Sequence, residues 1–254
     1  MSEISIATLP KRTEVNSQVA VIIPVLDEEA AIGEVVAGVR AHVGTVIVVD
    51  GNSKDRTAER AREAGAQVVV EARRGYGRAM RAGIAALGPG VEIVVFVDGD
   101  GSDRVELIPS LLAPLLAGEG DFVHGTRLQG EREPGALSLP QIVAGHLAGG
   151  LIRLLFGVRY TDMSPFRAIG RETLDRLGMR DETFGWNLEM QMRAAAQGLR
   201  VVEVPVGQRR RRGGVSKVSG DLMMAARVTW ILAATFIRLA RTLRQEARAE
   251  RQGV

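Results

Sequence analysis

The sequence predicts an α/β fold: a mainly parallel central sheet flanked by helices, with a long amphipathic helix at the C-terminal end. Two observations carry this. Short β-branched runs alternate with helix-periodic stretches four times in about 110 residues, the pattern of right-handed βαβ units. Acidic residues also recur where the apolar runs stop, at Asp27-Glu28-Glu29, Asp50 and Asp98/Asp100. Ligands of open parallel sheets bind at those carboxyl ends.

The elements follow in order. Val19–Val25 is a buried strand, and the next stretch is helical, with Ile32, Val35, Val36 and Val39 on one face and acids in its first turn. Thr45–Val49 is the second strand; Ser53 or Asp55 caps the helix that closes at Gly65. Gln67–Val70 is the third strand, before the glycine-introduced helix GYGRAMRAGIAALG. Glu92–Val97 is the fourth, ELIPSLLAPLLAGEG is helical, and Asp121–His124 is another strand. Glu131–Leu139 reads as a loop, Gln141–Phe156 as a helix, and TDMSPFRAIG as irregular chain entering a short strand. Trp186–Gln197 is a helix, Leu199–Val206 a strand, Arg209–Ser219 a mobile basic loop and Gly220–Arg251 one long helix. The expected organisation is an arm over 1–17, one domain over 18–219 and a helical appendage over 220–254.

Composition narrows the chemistry. The chain has 254 residues and no cysteine, which excludes disulfides, a thiolate nucleophile and cysteine metal sites, and fits a reducing cytoplasm. Three scattered histidines exclude a His-rich metal site. Net charge is only +3, but acids crowd the first half and Arg209–Arg212 stand in a row, which points to an anionic partner near the C-terminal end. The first residues lack the apolar core of a signal peptide. No stretch matches the roughly 20 apolar residues of a spanning helix. The nearest, Pro134–Ile152, carries Pro140 and several glycines. The expectation is a cytoplasmic chain that touches the inner face of a membrane without crossing it.

Residues 97–103 read VDGDGSD. Two carboxylates one residue apart at a strand end repel unless a cation joins them, and Mg²⁺ or Mn²⁺ accepts such ligands together with the oxygens of a diphosphate. The bland alternative, acids that cap helices, accounts for one of them more easily than for both. No G-x-G-x-x-G follows Val25, which argues against a dinucleotide oxidoreductase. An acidic PVLDEEAAI in place of a basic glycine-rich loop argues against a nucleotidyltransferase.

Taken together, VIIPVLDEEAAI, VVDGNSKDRT, RRGYGRAMRAGI, FVDGDGSD, GTR, DMSPFRA and RGGVSKVSG stand in the order seen in another group of proteins. The chain resembles family 2 glycosyltransferases of the GT-A nucleotide-diphospho-sugar transferase fold, most of all the branch of dolichyl-phosphate and polyprenyl-phosphate hexose synthases. The resemblance runs from Val19 to Ser219. It implies a hexose donor carried on UDP or GDP, inversion at the anomeric carbon, and these roles. Pro24, Val25 and Glu28 line the nucleobase and ribose pocket, Asp50 contacts the nucleotide, and Gly77 and Arg78 form a turn near the donor. Asp98 and Asp100, with Gly99 between them, hold the metal, and Asp103 or water stands in for a third ligand where Ser102 replaces the usual Gln. Arg127 lies near the phosphates. Asp162, Ser164, Phe166 and Arg167 form the next segment, with Asp162, Ser164 and Arg167 at the acceptor phosphate. Arg211, Ser216 and Lys217 belong to a lid that closes over anionic groups. Gly51 replaces a usual Asp, which leaves the choice of nucleotide open.

The physical reading beside this one agrees on the lid: arginines and a lysine next to Gly-Gly make a flexible positive flap suited to phosphate. No nucleic-acid partner is expected. For the acceptor, the position of the general base in hydroxyl-glycosylating relatives, six before Arg193, is Asn187 here. An amide takes no proton at neutral pH. Either Glu189 is a displaced base or a carboxylate that orients a lid arginine, or the acceptor is already an anion, as a lipid phosphate is. A soluble phosphorylated acceptor meets the same requirement, and a non-catalytic nucleotide-sugar-binding protein is the rival from another class. The C-terminal helix places Leu222, Val228, Leu232, Phe236, Leu239 and Leu243 on one face and Arg227, Arg238, Arg241 and Arg248 on the other. That face can pack on its own domain, on a second copy in a homodimer, or on an anionic membrane.

Overall fold

A computed structural model describes residues 17–212 and 222–251. β1 (Val19–Val25) is buried at every position but Pro24, as a strand covered on both faces must be. It sits between β2 (Thr45–Asp50) and β4 (Ile93–Phe96), parallel to both, and β2 pairs in parallel with β3 (Gln67–Val70). The sheet order is β3-β2-β1-β4-β6-β5-β7. β5 (Phe122–Thr126) and β7 (Val201–Pro205) are parallel to each other, whereas β6 (Arg167–Gly170) runs antiparallel to β4 and β5. The sheet is thus mainly parallel with one reversed strand. β6 is four residues long, with no alternation to reveal its direction from sequence.

Helices cover both faces. α1 (Glu29–Arg40), α2 (Thr57–Glu63) and α4 (Ile108–Leu116) lie on the side of Val21, Ile23, Val46 and Val48. α3 (Tyr76–Ala85), α5 (Leu139–Phe156), α6 (Arg171–Leu177), α7 (Trp186–Ala196) and α8 (Leu222–Arg251) join the side of Ala20, Ile22, Ile47 and Phe96. The alternation along β1 decides which residues meet which layer. Leu239 and Leu243 of α8 are buried and Phe236 packs beside them, so this part of the predicted apolar face turns toward the domain. Arg238 pairs with Asp181 at 2.6 Å.

Two differences from the sequence reading matter. α6 occupies RETLDRL, which the reading left without an element. α5 begins at Leu139, where Ser138 and Gln141 form a capping box, and its 18 residues have mean hydropathy 1.4, long and apolar enough by length and composition to cross a membrane. Two of the glycines that seemed to break this stretch, Gly145 and Gly149, sit on its inner side, whereas Gly150 faces out. A Cβ at Gly149 would lie 2.1 Å from the Tyr160 carbonyl, and one at Gly145 would lie 3.5 Å from the Asp162 Cα. They let the helix approach the chain beneath it rather than interrupting it.

Candidate active site

The carboxyl ends of β1, β2, β4, β5 and β7 and the start of the reversed β6 converge on one edge of the sheet. β4 runs out into the turn Asp98–Asp103. Gly99 has no alternative there, because a Cβ would stand 2.3 Å from Val25 Cγ1. Asp100 Oδ1 accepts the Ser102 N–H at 2.9 Å, and Asp103 Oδ2 accepts the Asp98 N–H at 2.8 Å. Asp103 is therefore spent on the turn, and among the described residues no group of three His, Cys, Asp or Glu side chains is arranged to hold a metal. Burial first, then the charge of Asp100, pushes the Asp98 carboxyl up to about 7. The charge of Asp100 thus disfavours a second ionised carboxylate at Asp98, and a hard divalent cation, its remaining ligands from a diphosphate, would relieve that repulsion.

Behind this turn lies a buried ion pair. Arg127 follows β5, and its Nε and Nη2 donate to Asp162 Oδ2 and Oδ1 at 2.7 and 2.8 Å, while its backbone N–H donates to Oδ2 at 3.0 Å. Burial alone would raise the Asp162 carboxyl, but the hydrogen bonds and charge of Arg127 hold it at about 2. Asp162 therefore positions Arg127. Ser164 is wholly buried and its Oγ accepts the Phe166 N–H at 3.2 Å. Arg167 is 1 % exposed and donates to the carbonyls of Ser164, Pro165 and Asn187. Ser164 and Arg167, read from sequence as phosphate ligands, are committed here to shaping the 162–167 segment; burial lowers the Arg167 guanidinium to about 10.

The loops after β1 and β2 lock together. Asp50 is buried and accepts the Ser53 N–H with both oxygens and the Ser53 hydroxyl with Oδ1. Ser53 Oγ receives the Asp27 N–H at 2.9 Å, and Asp27 Oδ1 accepts the Lys54 N–H at 2.8 Å. Asp27 and Asn52 both take positive φ, 54° and 65°, a conformation that costs non-glycine residues and recurs at functional loops. Asp50 thus fixes the loop's shape at the edge where Pro24, Val25 and Glu28 also stand. The glycine turn is also held by a distant loop: Gly77 and Arg78 donate their N–H groups to the carbonyls of Thr183 and Glu182, and a Cβ at Gly77 would lie 2.1 Å from the Asp181 carbonyl. The Arg78 guanidinium is taken by Glu182 at 2.6 Å. Arg78 was expected at the donor; this partner, contributed from a distant loop, is invisible in the local sequence.

The basic loop is strapped onto the acidic turn. Arg209 and Arg212 donate backbone N–H groups to the carbonyls of Ser102 and Asp100 at 2.9 and 3.1 Å. Arg209 pairs with Glu106 at 2.7 Å and Arg212 with Glu34. Arg211 reaches Asp100 Oδ2 at 2.8 Å and Glu28 Oε1 at 3.2 Å. Ser216 and Lys217 fall outside the described residues. Glu189 is 1 % exposed, with Oε1 on Arg193 at 2.8 Å and Oε2 accepting the N–H groups of Arg180 and Asp181 at 3.0 and 2.6 Å. Both oxygens are occupied and shielded, and the arginine that Glu189 holds is Arg193 of its own helix rather than a described arginine of the basic loop.

Residues 20–178 match the model of the family described as glycosyl transferase family 2. The chain belongs to that family. This glycosyltransferase is 36 % identical over 200 residues to a dolichyl-phosphate hexose transferase of Haloferax volcanii, covering 76 % of the chain and 84 % of the relative. It is 32 % identical over 237 residues to an undecaprenyl-phosphate mannosyltransferase of Micrococcus luteus, covering 85 % and 95 %. Among solved structures it resembles glucosyl-3-phosphoglycerate synthase of Mycobacterium tuberculosis, crystallised with Mn²⁺, UDP and phosphoglyceric acid. There the TM-score is 0.71 at 24 % identity, covering 90 % of this chain and 81 % of that one, a likeness of fold.

One residue of the glycosyltransferase site escaped the sequence reading. The Tyr76 hydroxyl donates to Asp98 Oδ1 at 3.3 Å. Burial raises the phenol well above its ordinary range, the Asp98 charge adds to this, and a hydrogen bond from Asn187 opposes it. Tyr76, one of two tyrosines in the chain, stands between the glycines of the GYG turn, and that placement was the available signal.

Proposed function

We propose that this glycosyltransferase moves a hexose from a nucleotide diphospho-sugar to a lipid phosphate, at the cytoplasmic face of a membrane. The observation that carries the acceptor is the lack of a general base where one would stand. Asn187 occupies the position, and Glu189 beside it has both oxygens engaged. A phosphate oxygen is nucleophilic without losing a proton, so an anionic acceptor needs no base. The Haloferax and Micrococcus relatives, named for dolichyl- and undecaprenyl-phosphate, support the same class.

Asp98 and Asp100 would hold Mg²⁺ or Mn²⁺, which supplies positive charge to the donor diphosphate. The other contributions come from the chain. Tyr76 orients Asp98 by donating to one of its oxygens. Gly99 lets the acidic turn lie against β1, beside the loops that receive the nucleotide. Arg127, held rigid by Asp162, presents fixed positive charge where phosphate charge accumulates. Arg211 covers Asp100 before substrate arrives and, freed from it, faces the leaving diphosphate. The acceptor oxygen bonds to the anomeric carbon as the bond to the diphosphate breaks, with inversion.

The test is transfer of radiolabel from UDP-glucose, UDP-galactose, UDP-N-acetylglucosamine or GDP-mannose to polyprenyl phosphate with Mn²⁺, read in the organic phase. EDTA-sensitive lipid label establishes donor and acceptor together. Label confined to water-soluble phosphorylated products assigns a soluble acceptor instead. Asp100→Asn is expected to fold and to lose metal-dependent turnover; normal turnover in that variant would remove the metal assignment.

A further inference from the structure

α5 carries apolar residues on two opposite sides. Its inner side packs Gly145, Gly149 and Ile152 against the domain. Its outer side leaves Leu139, Val143, Leu147, Leu151 and Leu154 in solvent, with Leu139, Leu147 and Leu154 retaining 77, 63 and 80 % of their surface. At 1.5 Å and 100° per residue these five form one stripe about 22 Å long over about a third of the circumference. Scattered exposed leucines are ordinary; a continuous stripe of this size marks a docking surface.

We infer that the outer face of α5 is the surface by which this enzyme lies on a lipid bilayer. The inference rests on the lipid-phosphate reading above. Three observations select lipid over a second copy of the chain. The only formal charge on α5 is the exposed Arg153, at the flank of the stripe, with exposed Arg159 just beyond its end. No Asp or Glu occurs from Pro134 to Thr161, so a two-fold contact through this face would set arginines near each other with no acid to receive them, whereas anionic headgroups receive them directly. Second, α8 in the same layer leaves Trp230 and Ile237 exposed, 72 and 52 %, and Trp suits the headgroup boundary. Third, the inner face of α5 is fixed against residues 160–163, the segment whose Asp162 grips Arg127. A bilayer touching the outer face therefore lies one helix diameter, about 10 Å, from the segment that holds Arg127. The helix lies on the membrane rather than crossing it, because its inner face is already covered by protein.

The test is co-sedimentation of the full chain with vesicles of phosphatidylcholine and about 30 mol % phosphatidylglycerol, free of polyprenyl phosphate. Leu147→Glu/Leu154→Glu is expected to lower the partition coefficient at least about tenfold. It is expected to keep the wild-type melting curve and wild-type turnover of a short, water-soluble polyprenyl phosphate. Leu154→Glu alone, at the most exposed position, serves if the double variant folds poorly, and shows a partial loss. Vesicle binding equal to wild type in a folded variant overturns the inference, and so does a wild-type chain that stays in the supernatant. Sedimentation velocity supplies the remaining arm: a wild-type dimer that the variant splits, with vesicle binding unchanged, assigns the stripe to a second copy. Because the vesicles lack acceptor, binding without any glycosylation of polyprenyl phosphate would fail the acceptor reading and leave the docking surface standing.

Discussion

Replacing Asp162 by Asn tests whether Arg127 is held by charge or merely by packing. The carboxylate accepts three hydrogen bonds from Arg127, at 2.7, 2.8 and 3.0 Å. The amide offers one acceptor oxygen and turns an NH₂ toward a guanidinium that is only 9 % exposed. Breaking a buried pair from one side costs about 3–5 kcal/mol, because the surviving charge has lost its partner. Asp98 and Asp103 also act on Arg127 electrostatically and compensate in part, which favours the lower end, about 3 kcal/mol. For a chain of this size that is a fall in Tm of about 6–12 °C. Urea unfolding followed by the fluorescence of buried Trp186 measures the loss. Arg127→Gln in the Asp162→Asn background should recover part of it, since no unpaired charge then remains. Turnover should fall in the single variant even where it is folded, because Arg127 is free to swing toward Asp98. A destabilisation below about 1 kcal/mol, the range of an exposed pair, would refute the reasoning and make the pair a bystander.

Arg211→Gln should act in opposite directions on binding and chemistry. Removing the guanidinium from Asp100, 2.8 Å away and partly exposed, should tighten Mn²⁺ binding without donor several-fold, the equivalent of about 1 kcal/mol, while kcat falls. Titration of free Mn²⁺ by electron paramagnetic resonance reads the first effect, and unchanged affinity would show that Arg211 does not compete for the acid. His124 sets an acid limit on stability. Burial holds its imidazole down to about 3, below the ordinary 6.5, so the folded state refuses a proton that the unfolded chain accepts. The share of the unfolding free energy due to His124 should be level above pH 6.5 and fall at about 1.4 kcal/mol per pH unit toward pH 3, and it is read as the difference from His124→Gln, because the raised Asp98 carboxyl contributes the opposite slope below about 7. His124→Gln should flatten that slope in urea melts across the interval.

The strands and the acidic turn were legible because each is local. Val19–Val25 announces a doubly covered strand by its own composition, and the spacing of Asp98 and Asp100 places both in the turn after such a strand. What remained hidden depends on distant partners. Nothing near Arg78 says that Glu182 will claim it, and nothing near Glu189 says that its oxygens will cap Arg180 and Asp181 as well as meet Arg193. The segment after Thr161 looked like a run of phosphate ligands, but Arg167 donates only to backbone carbonyls, a role that requires the reversed strand to be in place. The helix of α5 was read from sequence, but a list of residues shows its glycines and not that Gly145 and Gly149 turn inward while Gly150 faces out.

The reversal of β6 makes Arg167 a fixed mark on a ruler. Phe96 of β4, Arg167 of β6 and His124 of β5 stand in one row across three strands. Asp98 lies two residues past one end of that row and Arg127 three residues past the other. A slip of one residue in either ladder would shift an acid or its facing arginine by about 3.3 Å and turn the strand's side chains to the wrong layer. The distance between Asp98, the proposed metal ligand, and Arg127, proposed to meet the phosphate, is therefore set by sheet register, and an insertion or deletion in four-residue β6 is expected to abolish turnover without removing a polar residue of the proposed site.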